Sequence, residues 1–480
     1  MATLFYAAMN QEFLEIKTEL VQLLSSEQAW KYRIIPKESS VTSIIFFSDL
    51  QPDNNLLEEL EMLFGKFISI EVVDSDFFQK SLGKYYRKEE SSSKLSFSGN
   101  SEDFVYQLIL EAKNFKSSDI HIEVYEDVCR VRVRIDGMLT ERCFLEKKDY
   151  PSLVNKIKIM SNLDIAEKRL PQDGRIFFNY KKNRFDIRVS VLPTLHGEKI
   201  VMRLLSNDAT NIDINKLGFS PKDLNNYLEG AKRPHGLLLI SGPTGSGKTT
   251  TLYATLKLLN EVKRNIVTIE DPIEYTLEGI NQVQLKEALG LTFGSALRTF
   301  LRQDPDVIMV GEIRDADTAT MAIRASLTGH LVLSTIHTNS AWGTVSRLVD
   351  MGIPSFLVAS TLNTSVAQRL VKILCNNCKS KAEFSDDLYP ASFKPPKNIA
   401  FHYRPIGCSE CHYTGYKGRK AVYEVITVDF VLSERIKSGT FSISDYLKEK
   451  GIKTLGENAF ELFEEGLTTV EEIYPLLINY

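Results

Sequence analysis

A glycine-rich segment in the middle of the chain has the residue types and the spacing that bind nucleotide phosphates. Counting the threonine that follows it, the segment comprises Gly242, Pro243, Thr244, Gly245, Ser246, Gly247, Lys248, Thr249 and Thr250, and it matches the pattern GxxxxGK[ST]. Glycines let backbone N–H groups curl around phosphate oxygens, and a helix that begins there adds the positive end of its dipole. Lys248 would place a charge at the β- and γ-phosphates of ATP, and the Thr249 hydroxyl would ligate Mg²⁺. The segment therefore predicts a site for ATP and Mg²⁺.

Carboxylates follow two later apolar runs of the sequence. Glu270, Asp271 and Glu274 lie in TIEDPIEY, and Glu312 lies in VIMVGEIRD. Parallel sheets bind their ligands at such strand ends, although solvated carboxylates are also common there. When a glycine-rich phosphate-binding loop of this kind, called a P-loop, precedes it, a carboxylate at this place is expected to help hold Mg²⁺ or to orient the water that attacks the γ-phosphate.

Basic side chains form the second group of candidates. His337 ends the strand-like run HLVLSTIHT and is expected to sense the γ-phosphate, and His330, which begins the run, is a further candidate. An ATPase that moves its domains needs a cation that reaches the γ-phosphate only on closure, so some arginines should act as arginine fingers. The arginines considered are Arg188, Arg203, Arg298, Arg302, Arg314 and Arg347.

Four of the six cysteines form two CxxC pairs. They are Cys375 with Cys378 and, after 29 intervening residues, Cys408 with Cys411. Two thiolates separated by two residues can reach one ion, and two such pairs complete a tetrahedral site of four sulfurs, which selects Zn²⁺. Such a site has no open position, so it is expected to be structural; unpaired thiols and redox-active pairs are the alternatives. The remaining two cysteines, at 129 and 143, lie in alternating sequence and are expected to pack as small apolar residues.

Apolar runs precede these motifs and indicate the strands that position them. GLLLIS, NIVTIED, DVIMVGE and HLVLSTIHT alternate with helical patterns, which predicts an α/β fold around a mostly parallel, doubly wound sheet. Upstream, a helical segment at 104–112 is followed by DIHIEVYED, VCRVRVRID and RFDIRVSVLP, whose strict alternation predicts the strands of a smaller α+β domain. Amphipathic helices are expected from the end of the cysteine-bearing insert to the end of the chain.

The predicted organisation has four consecutive parts and one insert. They are an N-terminal domain at 1–87, a flexible serine-rich linker at 88–103, the α+β domain at 104–230, the ATPase domain at 231–480, and the zinc-binding insert at 372–420.

Composition excludes several other classes of protein. The formal net charge is −4 with 25% charged residues, and no basic tract stands out, so a nucleic-acid partner is not expected. The first twenty residues contain no basic n-region, which argues against a signal peptide. The apolar runs are too short to span a bilayer, so direct membrane insertion is not expected either.

The motifs, taken in order, resemble the secretion ATPase superfamily of type II secretion and type IV pilus systems. The series is GPTGSGKTT, TIEDPIEY, LRQDPDVIMVGEIRD and TGHLVLSTIHTNSA, and SSDIHIE, RIDGML and LPQDGRI upstream resemble the domain that precedes the ATPase core in that family. The resemblance covers about residues 101–480. It implies a RecA-like P-loop ATPase core, preceded by the α+β domain and carrying the zinc-binding insert.

The resemblance also implies a role for individual residues. Lys248 and Thr249 match the Walker A motif, and Glu312 matches the Walker B glutamate, with Gly311 where other P-loop enzymes carry an aspartate. Glu274 matches the glutamate of the aspartate box, and either it or Glu312 activates water while the other holds the metal. His337 matches the histidine box. On the preceding domain, Arg188 and Arg203 match arginines that approach the nucleotide when the two domains close.

The family implies partners as well. We expect a homo-hexamer at the cytoplasmic face of the inner membrane, where it drives pseudopilus assembly through a polytopic platform protein. Residues 1–87 are expected to dock the cytoplasmic domain of a bitopic inner-membrane secretion protein. Type II secretion is the expected system and type IV pilus assembly the alternative, whereas the insert and the N-terminal region argue against a retraction motor. A nucleic-acid translocase and a non-enzymatic nucleotide-binding scaffold are the alternative functions from other classes of protein.

Overall fold

The computed structural model describes most of the chain in twelve stretches. They are residues 16, 20, 23–24, 26–40, 42–51, 54–86, 101–180, 183–205, 212–385, 388–390, 393–440 and 442–478. Most of the predicted linker, residues 88–100, lies outside the described residues. Across the described stretches, no helix has both the length and the apolar character needed to cross a bilayer.

The N-terminal residues form a small three-stranded sheet with helices. Its strands are β1 (Ile35–Ser39), β2 (Ser43–Ser48) and β3 (Phe67–Val72), in the order β1-β2-β3, and its helices are α1 (Ser26–Tyr32), α2 (Asn54–Phe64) and α3 (Ser75–Tyr85). β2 pairs antiparallel with β1 and parallel with β3. Burial alternates along β2, and Ile44 and Phe46 pack in one core with Leu60 of α2 and Phe78 of α3.

A six-stranded antiparallel sheet follows. Its strands are β4 (Asp119–Val124), β5 (Val128–Ile135), β6 (Met138–Glu146), β7 (Gln172–Tyr180), β8 (Asn183–Thr194) and β9 (Gly197–Leu205), in the order β6-β5-β4-β9-β8-β7. In β5 every second residue is buried, so Val131 and Val133 face the core and the intervening arginines face the other side. The helices α4 (Ser101–Asn114) and α5 (Tyr150–Met160) cover the apolar face. The alternating sequence thus predicted this domain's strand type correctly.

The ATP-binding motif lies on a seven-stranded sheet. Its strands are β10 (Gly236–Ser241), β11 (Ile266–Glu270), β12 (Asn281–Gln284), β13 (Val307–Val310), β14 (Leu331–Ile336), β15 (Leu362–Leu374) and β18 (Tyr416–Thr427), in the order β12-β11-β13-β14-β10-β15-β18. Strand β10 pairs in parallel with β14 and β15, β11 pairs in parallel with β12 and β13, and β13 pairs in parallel with β14. Strands β10, β11, β13 and β14 are buried along their whole length, as expected for strands covered on both faces. The α/β prediction is confirmed.

Helices surround this sheet and extend to the C-terminal end. They are α6 (Pro221–Ala231), α7 (Lys248–Leu259), α8 (Phe293–Phe300), α9 (Ala316–Leu327), α10 (Gly343–Asp350), α11 (Ser355–Thr361), α12 (Phe430–Lys437), α13 (Ser444–Lys450), α14 (Leu455–Glu464) and α15 (Val470–Leu477). Local capping sets several of their ends: Thr454 and Glu457 form a reciprocal capping box at the start of α14.

Two features of this region differ from the sequence prediction. β18 is a twelve-residue strand in the stretch where only helices were expected, because its second half is an apolar run that pairs into the sheet. Helix α6 packs with Tyr227 and Ala231 in the same core as Leu238 of β10, although the prediction placed residues up to 230 in the preceding domain. Between β15 and β18 a short antiparallel hairpin forms from β16 (Lys379–Glu383) and β17 (Phe401–Pro405).

Candidate functional site

The P-loop joins the buried strand β10 to helix α7. Three of its glycines have positive φ, namely Gly242 at 150°, Gly245 at 81° and Gly247 at 89°. At Gly242 a Cβ would lie 2.5 Å from the carbonyl oxygen of Gln368, and at Gly247 it would lie 2.8 Å from the Gln368 Nε2 atom. Both positions therefore exclude any side chain, and the loop is held close to β15 in the conformation that turns backbone N–H groups toward a ligand.

Two polar groups of the loop are ready for an anion. The Lys248 ammonium donates to the carbonyl oxygens of Gly242 at 2.8 Å and Pro243 at 3.0 Å, so it lies folded over the loop. Burial lowers the pKa of Lys248, and nearby Glu312 opposes that effect. The Ser246 hydroxyl is buried and has no hydrogen-bond partner among the described residues. A triphosphate would give the Ser246 hydroxyl a partner and would take the place of the two carbonyl oxygens that Lys248 contacts, so the loop fits ATP.

Glu312 and His337 meet at the carboxyl edge of the sheet. Glu312 follows β13 and His337 follows β14, and the Glu312 carboxylate lies 3.5 Å from His337 Nε2. Arg314 donates a hydrogen bond to Glu312, which fixes the position of the carboxylate beside the sheet. At Gly311 a Cβ would lie 3.3 Å from the Ile269 carbonyl oxygen, so a larger residue there would fit only tightly. A cavity of about 270 Å³ next to these residues is lined by Gly242, Pro243, His337, Thr338 and Asn339.

The aspartate box divides into a buried acid and an accessible one. Glu270 ends β11 inside the core, where Tyr253 and Thr268 donate to it, so its part is structural. Glu274 lies beyond the strand with its side chain 41% exposed, and Arg188 of the preceding domain donates to it at 3.2 Å. Arg188 also donates to the Ile273 carbonyl oxygen at 2.5 Å. The structure thus brings Arg188 to the segment that carries Glu274.

The other basic candidates have different surroundings. Arg203 donates to Asp119 on the neighbouring strand at 2.8 Å, and that bond raises its pKa. Arg298 pairs with Asp317 at 3.3 Å on the adjacent helix. His330 lies at the amino end of β14, opposite the P-loop edge, where its Nδ1 contacts the Ala325 carbonyl oxygen at 2.9 Å. His330 is therefore not a candidate for sensing phosphate, since it sits at the wrong end of its strand.

The four cysteines of the two CxxC pairs converge around one point. Their sulfurs lie within 4.8 Å of one another, with 3.8 Å between Cys375 and Cys408 and 3.7 Å between Cys378 and Cys411. Four sulfurs arranged tetrahedrally at the usual Zn–S distance of about 2.3 Å would be about 3.8 Å apart. Although burial alone would raise the pKa of the Cys411 thiol, backbone N–H groups of Cys408 and Gly415 donate to its Sγ and hold that pKa below its usual value. The cluster fits a zinc ion bound by thiolates.

Sequence reasoning missed two residues that contact the P-loop from β15. Gln368 packs against Gly247 and accepts from Thr251 at 2.9 Å, while Arg369 donates to the Asn339 carbonyl oxygen at 3.3 Å. Nothing in their spacing marks them, because they reach the loop only through the pairing of β15 with β10. A second cavity, of about 1190 Å³, opens beside Pro243 and Arg369 and extends along the C-terminal helices.

Comparison with known proteins shows which family this chain resembles. The sequence model of a family described as "Type II/IV secretion system protein" matches residues 97–475. The type II secretion system ATPase E of Vibrio cholerae is 46% identical over 76% of this chain and 72% of its own length. The type IV pilus assembly ATPase PilB of Myxococcus xanthus is 40% identical over 97% of this chain and 88% of its own length. Among solved structures, the pilus retraction motor PilT with bound ADP is 27% identical, covers 77% of this chain and 96% of its own, and superposes with a TM-score of 0.53.

Proposed function

The chain belongs to the Type II/IV secretion system protein family, and from this premise we propose that ATP hydrolysis at its P-loop drives pseudopilus assembly at the inner membrane. The chain is an ATPase, and its identity of 46% to the type II secretion system ATPase E of Vibrio cholerae supports type II secretion as the process it drives. The observation that carries the mechanism is the convergence of the P-loop, Glu312 and His337 at one sheet edge. The finer steps below are our proposal.

The roles of the site residues follow from what each can donate or accept. Lys248 leaves the Gly242 and Pro243 carbonyls and pairs with the β- and γ-phosphates, which restores the charge stabilisation that burial removes. Backbone N–H groups of the loop and the Ser246 hydroxyl bind the remaining phosphate oxygens. Mg²⁺, held by the Thr249 hydroxyl, would neutralise charge between the two phosphates. Glu312 accepts a proton from the attacking water or orients it, and His337 beside it contacts the γ-phosphate.

Domain closure supplies the second half of the mechanism. Arg188 is already bound to the aspartate box through Glu274 and the Ile273 carbonyl. We infer that it exchanges one of these acceptors for the γ-phosphate, with Arg203 approaching after it leaves Asp119. Loss of the γ-phosphate on hydrolysis would reverse the exchange and let the two domains separate. The opening and closing of these two domains, repeated in the subunits of a homo-hexamer, would do the mechanical work.

Transmission of the output requires membrane partners. We propose that a polytopic inner-membrane platform protein receives it and that residues 1–87 dock the cytoplasmic domain of a bitopic inner-membrane protein, which keeps the ATPase at the cytoplasmic face. Two exposed apolar side chains support docking there: Met62 on α2 is 86% exposed and Phe67 on the edge strand β3 is 76% exposed. Large apolar groups at an edge strand favour an interface.

Type IV pilus assembly is the second candidate. It is favoured by the match to the Myxococcus xanthus pilus assembly ATPase, which covers 97% of this chain, whereas the Vibrio cholerae match covers 76%. Against it stands the lower identity, 40% over 499 aligned residues against 46% over 367. Both candidates use the same ATPase chemistry and differ in the partner at the membrane.

Crosslinking in native membranes, with mass spectrometry of whatever attaches to residues 1–87, separates the candidates. Type II secretion requires both a bitopic inner-membrane protein with a large cytoplasmic domain and a platform protein. The same experiment with Phe67→Glu should lose the bitopic protein, while Gln51→Glu, which adds the same charge at an exposed position after β2, should retain it. Recovery of a platform protein alone from the unaltered chain would instead favour pilus assembly.

A further inference from the structure

Arg369 occupies a position that touches both the P-loop and the loop that carries His337. In the pairing of β10 with β15, Ser241 lies opposite Ala367, so the next residues of β15 run beside Gly242 and Pro243. A Cβ built on Gly242 would lie 3.0 Å from the Arg369 Nη1 atom. The guanidinium therefore lies in the space that a side chain at the first residue of the phosphate-binding loop would need.

The guanidinium bridges two backbone segments. Its Nη1 donates to the Gln368 carbonyl oxygen at 3.0 Å and its Nη2 donates to the Asn339 carbonyl oxygen at 3.3 Å. Asn339 is two residues beyond His337, on the short loop between β14 and α10. Since a planar fork of donors fixes both acceptors at once, Arg369 holds this loop against the strand beside the P-loop.

A buried carboxylate fixes the same loop from its other end. Glu424 on β18 is 4% exposed, and it accepts from the backbone N–H of Ala341 at 2.8 Å and of Leu455 at 3.0 Å. Leu455 begins α14, so the carboxylate connects the loop between β14 and α10 to the C-terminal helices. Burial lowers the pKa of Arg369 and raises that of Glu424, and the attraction between the two charges opposes both effects. The loop 338–341 is thus held by Arg369 at Asn339 and by Glu424 at Ala341.

We propose that Arg369 is a positioning residue for ATP hydrolysis, which acts by fixing the loop after His337 and, with Glu424, links the state of that loop to the C-terminal helices. The inference rests on the proposed function, since it assigns Arg369 a part in the same hydrolysis. Arg369 acts through His337 and does not itself touch the nucleotide. Loss of the fork lets His337 move away from Glu312 without removing any group that binds phosphate.

Steady-state kinetics on the full chain provide the test. Arg369→Met keeps the length of the side chain and removes both donors, and it should lower kcat by about 10- to 100-fold, because a misplacement of about 1 Å can cost that much. The KM for ATP should stay within about twofold of wild type, since phosphate binding by Lys248 and the P-loop is unaffected. Arg435→Met, which removes a forked ion pair to Asp445 on the C-terminal helices, should leave kcat unchanged. Arg369→Lys, which retains the charge but offers a single donor nitrogen in place of the fork, should be intermediate.

A double-mutant cycle separates positioning from general damage. In a His337→Ala background, Arg369→Met should cost less than about twofold, because the residue it positions is already gone. Independent and multiplicative losses, a large rise in KM, or a His337→Ala variant with wild-type kcat would each overturn the inference.

Hydrogen–deuterium exchange provides a readout that does not depend on turnover. Exchange at 337–341 should accelerate in Arg369→Met and remain unchanged in Arg435→Met, even in a preparation with no ATPase activity. Equal exchange in the two variants would refute the positioning role. Absence of ATPase activity in the unaltered chain, with accelerated exchange in Arg369→Met, would count against the proposed function and leave the loop contact intact.

Discussion

Removal of one sulfur from the cysteine cluster tests the zinc site quantitatively. Cys411 is the appropriate target because it is 3% exposed and its Sγ accepts from two backbone N–H groups. Structural zinc sites with thiolate and imidazole ligands bind with about 10 to 16 kcal/mol, so one ligand of four contributes roughly 2.5 to 4 kcal/mol. Cys411→Ser should therefore weaken zinc binding by about 10²- to 10³-fold.

The assay combines metal content with thiol reactivity. Wild type should carry about one zinc per chain, as expected for one S₄ cluster, and Cys411→Ser should lose it to a chelator that wild type resists. Chelation should expose the cluster thiols to a thiol reagent. The thiols of Cys129 and Cys143 should stay slow, because burial raises their pKa to about 12 and about 11.

Cys143→Ser provides the matched control, since it removes a thiol outside the cluster. It should retain full zinc content. Wild-type protein purified without zinc, or four cluster thiols that react at once without a chelator, would refute the tetrahedral thiolate site. A wild-type zinc affinity in Cys411→Ser would refute the assignment of that ligand.

Two further predictions address the domain that precedes the ATPase sheet. Arg188→Ala should lower kcat at least about tenfold while changing the free energy of unfolding by less than about 1 kcal/mol, because its partly exposed ion pair with Glu274 contributes little to stability. Phosphate release measures kcat, and urea unfolding measures the stability. A wild-type kcat in this variant would contradict the role of Arg188 in hydrolysis. Glu123 is buried, which by itself would raise its pKa, but Arg132, Lys199 and Arg130 donate to it and lower its pKa from 4.5 to about 2. Because the folded-state value lies below the unfolded one, about 3 kcal/mol of stability is present at neutral pH and is lost as the pH falls from about 4.5 toward 2. Urea unfolding of Glu123→Gln should therefore give lower stability at pH 7 with a weaker dependence on acid, and parallel pH profiles for the two proteins would contradict this reasoning.

The parts that the sequence predicts well are those encoded by local pattern. The strands β10, β11, β13 and β14 are short apolar runs, and the alternation in β5 gives both its type and its buried face. The convergence of Glu312 and His337 could also be anticipated, because the carboxyl ends of parallel strands share one edge of a sheet. The cysteine cluster follows from spacing alone.

The parts that escape prediction depend on contacts between distant residues. Arg188 reaches Glu274 across 86 positions of sequence, and Arg369 reaches the P-loop only because β15 pairs with β10. Helix α6 has an ordinary amphipathic pattern, so nothing local indicates which sheet buries Tyr227. Likewise, β18 follows an insert whose length hides its pairing with the rest of the sheet.

The most direct test of the central claim is ATP turnover by the full chain and by two variants, with ATP affinity measured alongside. Wild type should release phosphate from Mg-ATP, and Lys248→Ala should lose both binding and turnover. Glu312→Gln should bind ATP within about threefold of wild type but release phosphate at least about 10²-fold more slowly, since it loses the carboxylate that orients or deprotonates the water. Wild-type turnover in either variant would contradict hydrolysis at this site.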